Sequence, residues 1–281
     1  LGENLQADTG IPLDYTRWAV ATWIDALRVV IPQPEVYQKV VPPTPTNHEN
    51  TNNQTPSGTE KLIIELDEDT SIELIRIPSG EFLMGSDIKD KEAFDIEKPQ
   101  HKVHLPDFYI GKYVITNSQF EVFRKKNNKV IPFSHPGTTR LNHPVTGLSW
   151  DDAIEYCHWL TQLSSNKVRL PSEAEWEKAA RGAKGLRWPW GNRVPDRTFC
   201  NSDGLVGDTT PVGNYSPQGD SPYGCADMSG NVWEWTNSIL KDYPYHPNDG
   251  RENLQVREDR VLRGGSYHYN SLFARCTVRV G

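Results

Sequence analysis

Residues 14–31, DYTRWAVATWIDALRVVI, place Trp18, Ala21, Ile24, Leu27 and Val30 about three apart, with Arg17, Asp25 and Arg28 between them. That period predicts an amphipathic helix with Asp14 as its N-cap and Pro32 as its stop. Residues 41–59, VPPTPTNHENTNNQTPSGT, carry almost no apolar side chain, so burial cannot offset the entropy of ordering them. The pattern therefore divides the chain into a helical segment over 1–40, a linker over 41–60 and a main domain over 61–281.

In the main domain, KLIIE and SIELIRI alternate as strands on either side of the acidic turn DEDTS, and a third run ends at Gly85. HKVHLPDFYIGKYVIT reads as further strand. Three helix starts follow. Thr116 with Gln119 makes a capping box for NSQFEVFRKK, with Phe120 and Phe123 inward; Ser149 caps a helix whose stripe is Ala153, Cys157 and Leu160. Ser172 with Glu175 opens a third helix, which turns Trp176 and Ala180 inward and ends at Gly182. Beyond it, residues 183–281 are loops and short strands, so the expected class is α+β with helices first and a looped half after.

Composition narrows the function. Nine Trp, 21 Gly and two Met suit a loop-rich fold packed around large rigid side chains. A net charge of -7 argues against unspecific nucleic-acid binding, which needs clustered cations. The longest apolar run, near VVIP, is too short to span a membrane. Cys157, Cys200, Cys225 and Cys276 form no CxxC pair, and read as free thiols of a reducing cytoplasm. His101 and His104, three apart in an alternating stretch, fall on opposite strand faces and are not joint ligands. His143 and His158 read as structural. No GxSxG, Walker or GxGxxG element occurs.

In order, IPSGEFLMGS, KPQHKVHLPDFYIGKYVITNSQF, HPVTGLSWDDAIEYCHWL, VRLPSEAEWEKAARG, DMSGNVWEWT and RVLRGGSY resemble the formylglycine-generating-enzyme, or sulfatase-modifying-factor, family over about residues 72–281. The resemblance implies a loop-rich variant of the C-type lectin fold. That superfamily includes copper-dependent oxidases of substrate cysteine, iron-dependent sulfoxide synthases, modules attached to bacterial kinases, and variable proteins of diversity-generating retroelements. Fold alone does not choose among them.

In the copper enzymes two cysteines follow the GGS segment, the first three residues after its Ser and the second five further on; here those places hold Tyr269 and Ala274. Neither is a thiolate ligand, so no copper is expected and no catalytic residue is assigned. The resemblance also implies a structural Ca²⁺ at DMSGNVWEW, held by Asp227 and Glu234 side chains and the Gly230 and Val232 carbonyls, as hard oxygens suit that ion. A metal-free turn in which Glu234 accepts backbone N–H bonds is the open alternative. Trp233 and Trp235 read as core.

The closing stretch carries the functional expectation. In retroelement variable proteins, miscopied template adenines turn AAY codons into a set of residues that omits Lys, Glu, Gln, Met and Trp. Every residue from Ser266 to Gly281 lies in that set, although the omitted types are common just upstream in ENLQVRED. The reading is a non-catalytic variable protein with a variable region over about 264–281. Its ligand face is Tyr267, His268, Tyr269, Asn270, Ser271, Leu272, Phe273, Val278 and Val280, on a framework of Arg263, Gly264, Gly265, Arg275 and Arg279. Its partner is an unspecified protein or other macromolecule. The alternatives are a diverged oxidase acting on protein cysteine through Cys276, and the sensor module of a larger bacterial signalling protein with an upstream domain.

Overall fold

A computed structural model describes residues 25–32, 60–129 and 140–281. The start of the expected N-terminal helix, residues 14–24, and the linker over 41–59 lie outside them. Residues 25–32 do not continue a helix. They form two short strands, β1 (Asp25–Leu27) and β2 (Val30–Pro32). The three-residue spacing of apolar side chains is overruled because every residue from Ala26 to Ile31 is buried, Arg28 included, which a one-sided surface helix does not permit. The β-branched run Val29, Val30, Ile31 suits extended pairing instead.

The expected hairpin is present as β3 (Lys61–Glu65) and β4 (Ser71–Ile77), closed where Leu66 N–H donates to Thr70 O at 2.8 Å. β5 (Gly80–Met84) pairs antiparallel with β6 (His101–Leu105), and β7 (Phe108–Gly111) lies between β4 and β2. The resulting four-stranded sheet runs β2-β7-β4-β3. A second sheet runs β1-β8-β9-β10, with β8 at Trp233–Ile239, β9 at Arg260–Arg263 and β10 at Arg279–Val280. β1 is parallel to β8 while β2 is antiparallel to β7, so the 25–32 segment staples the two sheets together.

The helices start where the caps require. α1 (Asn117–Lys126), α2 (Trp150–Ser164) and α3 (Glu173–Arg181) are capped by Thr116, Ser149 and Ser172, each with a reciprocal bond from the third helical residue. Phe120, Phe123, Tyr156 and Leu160 of α1 and α2 pack against Leu27, Val29, Ile72, Leu74 and Tyr109. Trp176, Ala179 and Ala180 of α3 pack on Ile75, Ile77, Phe82, Met84 and Phe108. The periodicity of α3 predicts one buried face; all nine of its residues are buried, acids included. The looped second half wraps the side that would otherwise face water, and its Arg279 and Arg263 meet Glu173 and Glu177.

Candidate functional site

The candidate site is the loop that follows the paired glycines, and its foundations are buried ion pairs. Arg263, ending β9, donates to Glu177 of α3 and to the Thr277 and Val278 carbonyls at 3.0 and 2.7 Å. Burial opposes the charge on Glu177, yet Arg263 and Arg181 beside it hold its pKa below the usual carboxylate range. Arg275 forks onto Glu97 at 3.0 and 2.8 Å, and Arg279 donates to Glu173 at 2.9 Å. The framework arginines read from sequence thus grip carboxylates that the pattern did not single out.

Between these anchors, residues 267–272 lie over a second loop. Gly204 N–H donates to Tyr267 O and Asp203 N–H to Tyr269 O, both at 2.8 Å. Ser271 N–H donates to Asp203 Oδ1 at 3.1 Å, Tyr267 N–H to Asn231 O at 3.1 Å, and Arg275 Nε to Leu272 O at 2.9 Å. Gly265 permits the preceding turn, since its φ is +75° and a Cβ there would lie 2.8 Å from Phe273 O. Asn270 caps the short 3-10 turn Ser271–Ala274 through Oδ1 to Leu272 N–H at 2.9 Å.

Not every expected contact residue reaches the surface. His268, Asn270 and Leu272 are exposed, and Tyr267, Tyr269 and Ser271 are half-buried. Phe273 and Val278 are buried with Trp233 in a small apolar cluster, so neither side chain is presented to a ligand; Val280 is half-buried against the same cluster. The reason is local: Phe273 is on the inner side of the 3-10 turn, and Val278 precedes the β10 strand that pairs with β9. Tyr269 meets Trp233 edge-on at 5.6 Å, and Tyr267 and His268 have ring centres 5.0 Å apart. The neighbouring turn exposes Leu205 and Val206, which sequence reasoning did not include. Its main-chain bonds to residues 267–269 and the Asp203 carboxylate's bond to Ser271 N–H bring it here, and no sequence signal marks them.

The thiols are elsewhere in character. All four cysteines are buried and free, and burial pushes Cys276 up to about 12, away from the thiolate that copper binding or nucleophilic chemistry needs. Ala274 is buried beside it in sequence. The histidines are dispersed. His101 bonds the 243–247 segment, His104 and His158 are exposed, and His143 Nδ1 meets Thr209 Oγ1 at 2.9 Å. Among the described residues no three His, Cys, Asp or Glu side chains are grouped to hold a metal ion.

At the DMSGNVWEW turn, Glu234 is occupied. Arg28 Nε donates to its Oε2 at 2.8 Å and Nη2 to its Oε1 at 2.9 Å, while Trp176 Nε1 donates to Oε2 at 2.9 Å. Asp227 accepts Gly213 N–H through Oδ2 at 2.6 Å, and burial raises its pKa to about 6. The Gly230 carbonyl accepts Val232 N–H at 2.9 Å. A Ca²⁺ on Glu234 would have to displace a buried guanidinium or sit against it, so this oxygen set as folded does not fit the ion.

Three helices on small mixed sheets, closed by a looped half that ends in an arginine-anchored loop, define an α+β protein of the C-type lectin-like kind. Treponema denticola variable protein 1 shares this fold, with a TM-score of 0.63 at 21% identity over 80% of this chain and 93% of that one. Residues 60–281 match the sulfatase-modifying factor enzyme 1-like domain, and the chain belongs to that family. It is 31% identical over 254 residues to a formylglycine-generating enzyme of Streptomyces coelicolor, covering 69% of this chain and 78% of the relative. It is 32% identical over 237 residues to the hercynine oxygenase of Mycolicibacterium smegmatis, covering 69% and 54% respectively. The chain spans about half the length of some of the curated relatives it matches. Among the described residues no helix is long and apolar enough to cross a membrane.

Proposed function

We propose that this domain binds a protein or other macromolecular ligand through residues 267–272 and the adjoining 203–206 turn, as the variable protein of a diversity-generating retroelement. One observation carries the reading. The backbone of 267–272 is pinned by groups that are not the loop's own contact side chains: main-chain atoms, Asp203 and Arg275. Side chains on such a loop can change without loss of its shape. Asn270 also serves the backbone, since its side chain caps the short turn.

The chemistry of the exposed residues suits recognition. Tyr and His offer apolar area with a polar tip at low entropic cost, and Leu205, Val206 and Leu272 add apolar contact around them. Within this reading the domain performs no oxidation, because Tyr269 and Ala274 stand where the family's copper enzymes carry cysteines and Cys276 is a buried thiol. Neither Phe273 nor Val278 belongs to the contact face.

The test is combinatorial. Codons 267, 268, 269 and 272 are randomised within the AAY-accessible set, and unselected clones are scored for cooperative melting. Most clones should fold, with melting temperatures near that of the parent. A library in which most clones are unfolded would refute the proposed tolerance. The genomic locus should also carry a reverse transcriptase and a near-repeat of the 3′ coding region differing at adenines. Copper-dependent oxygen consumption with a cysteine peptide, abolished by Cys276→Ala, would decide for an oxidase instead.

A further inference from the structure

Arg28 lies outside the region that matches the family domain, which begins at residue 60, yet its guanidinium binds Glu234, one of the two carboxylates that the family pattern assigns to a cation. Its side chain and that of Glu234 are both 0% exposed. A guanidinium has five N–H donors, and here all five are used. Nε and one Nη2 hydrogen go to Glu234; the other Nη2 hydrogen goes to Ala226 O at 2.9 Å; and Nη1 reaches Gly111 O at 2.7 Å and Lys112 O at 2.9 Å. These acceptors come from three separate stretches of chain: the end of β7, the loop before Asp227, and β8.

The surroundings are shaped for this side chain. β1 pairs with β8 through Asp25–Leu27 and β2 pairs with β7 through Val30–Pro32, so Arg28 is fixed at the point where the chain passes from one sheet to the other. A Cβ on Gly111 would lie 3.4 Å from Arg28 Cγ and 2.9 Å from Tyr113 O, so that glycine leaves room for the stem. Backbone carbonyls and a carboxylate converging on one buried positive charge is the donor arrangement of a hard-cation site. Here the charge is covalently attached.

We propose that Arg28 is a built-in cation that takes the place of a divalent metal at the Asp227–Glu234 turn, making the folded domain independent of calcium and making the 25–32 segment part of its structure. The segment is then a working part of the domain and not a leader to it. Removing the guanidinium leaves Glu234 buried with no counter-charge, whereas removing both charges together relieves the defect.

The experiment uses the full chain. Melting curves of the wild type, Arg28→Met, Glu234→Gln and the double variant are recorded in calcium and in EGTA, with calorimetric titration of calcium into the wild type. The wild type should melt at the same temperature in both media and show no calcium heat. Arg28→Met should melt roughly 6–20 °C lower, and the double variant should regain a large part of that loss. If Arg28→Met does not fold, a cooperatively melting double variant still supports the proposal. Stabilisation of the wild type by calcium, or a double variant no better than Arg28→Met, would overturn it.

Discussion

Replacing Glu97 by Gln removes one buried charge and little else. Its carboxylate takes both Arg275 nitrogens at 2.8 and 3.0 Å, together with Thr277 Oγ1 at 2.6 Å, Ser86 Oγ at 3.0 Å and Phe94 N–H at 3.0 Å. Two unit charges 2.8 Å apart attract by roughly 6 kcal/mol at an effective dielectric of ~20, against roughly 1.5 kcal/mol in bulk water. Desolvation consumes much of the larger figure while the pair is intact, so the pair itself contributes little net stability. Breaking it is different, because Arg275 is then buried without a counter-charge, at a cost of about 3–5 kcal/mol. Gln keeps the volume and one acceptor, which puts the estimate near ~3 kcal/mol, or roughly 6–12 °C in melting temperature for a domain of this size. The exposed pair Arg257–Asp151 supplies the control. It is shorter, at 2.6 Å, but 76% and 61% exposed, so Asp151→Asn should cost less than ~1 kcal/mol. Guanidinium unfolding followed by Trp fluorescence reads both. Equal losses for the two variants would refute the reasoning, since burial and not distance is what separates them.

His101 offers a pH test. Tyr245 N–H donates to its Nε2 at 2.8 Å, so Nδ1 carries the proton that reaches Pro99 O at 2.8 Å, and burial holds the imidazole pKa below its ordinary value. The folded state therefore binds the proton less readily than the unfolded one. Stability from this group is present above the unfolded pKa of about 6.5 and is lost as pH falls through that value toward the folded pKa. His101→Phe should cost about 1–3 kcal/mol at neutral pH and flatten that part of the acid-side slope, and an unchanged slope would sink the assignment. Gly265→Ala forces a side chain into φ +75° against Phe273 O and should cost about 1–3 kcal/mol. A denaturation midpoint equal to that of the wild type would show that the turn is not as tightly set as described.

Much of the architecture was legible because it is local. Capping boxes at Thr116, Ser149 and Ser172 fix helix starts within four residues of sequence, and the structure begins α1, α2 and α3 there. The hairpin across DEDTS has the same origin. The 25–31 stretch misleads because apolar residues three apart also fit a segment buried on all sides, and only pairing with β7 and β8 decides between the two. Glu173 and Glu177 look like the wet face of a helix in sequence; they are buried because Arg279 and Arg263 are folded over them from elsewhere in the chain.

The candidate site divides in the same way. Residue identities set against the family resemblance pointed to the loop after Gly265 and its arginine framework, and put Tyr269 and Ala274, neither a thiol, where the copper enzymes carry cysteines. They could not show that Phe273 and Val278 turn inward, that Asp203 and Gly204 pin the loop, or that Arg28, 206 positions from Glu234, pairs with it. Sequence determines what depends on neighbours along the chain: caps, turns, alternation and the chemistry available at each position. Tertiary structure decides which charges meet and which side chains face water, because those depend on contacts between residues far apart, set only when the two sheets and α3 close on one another.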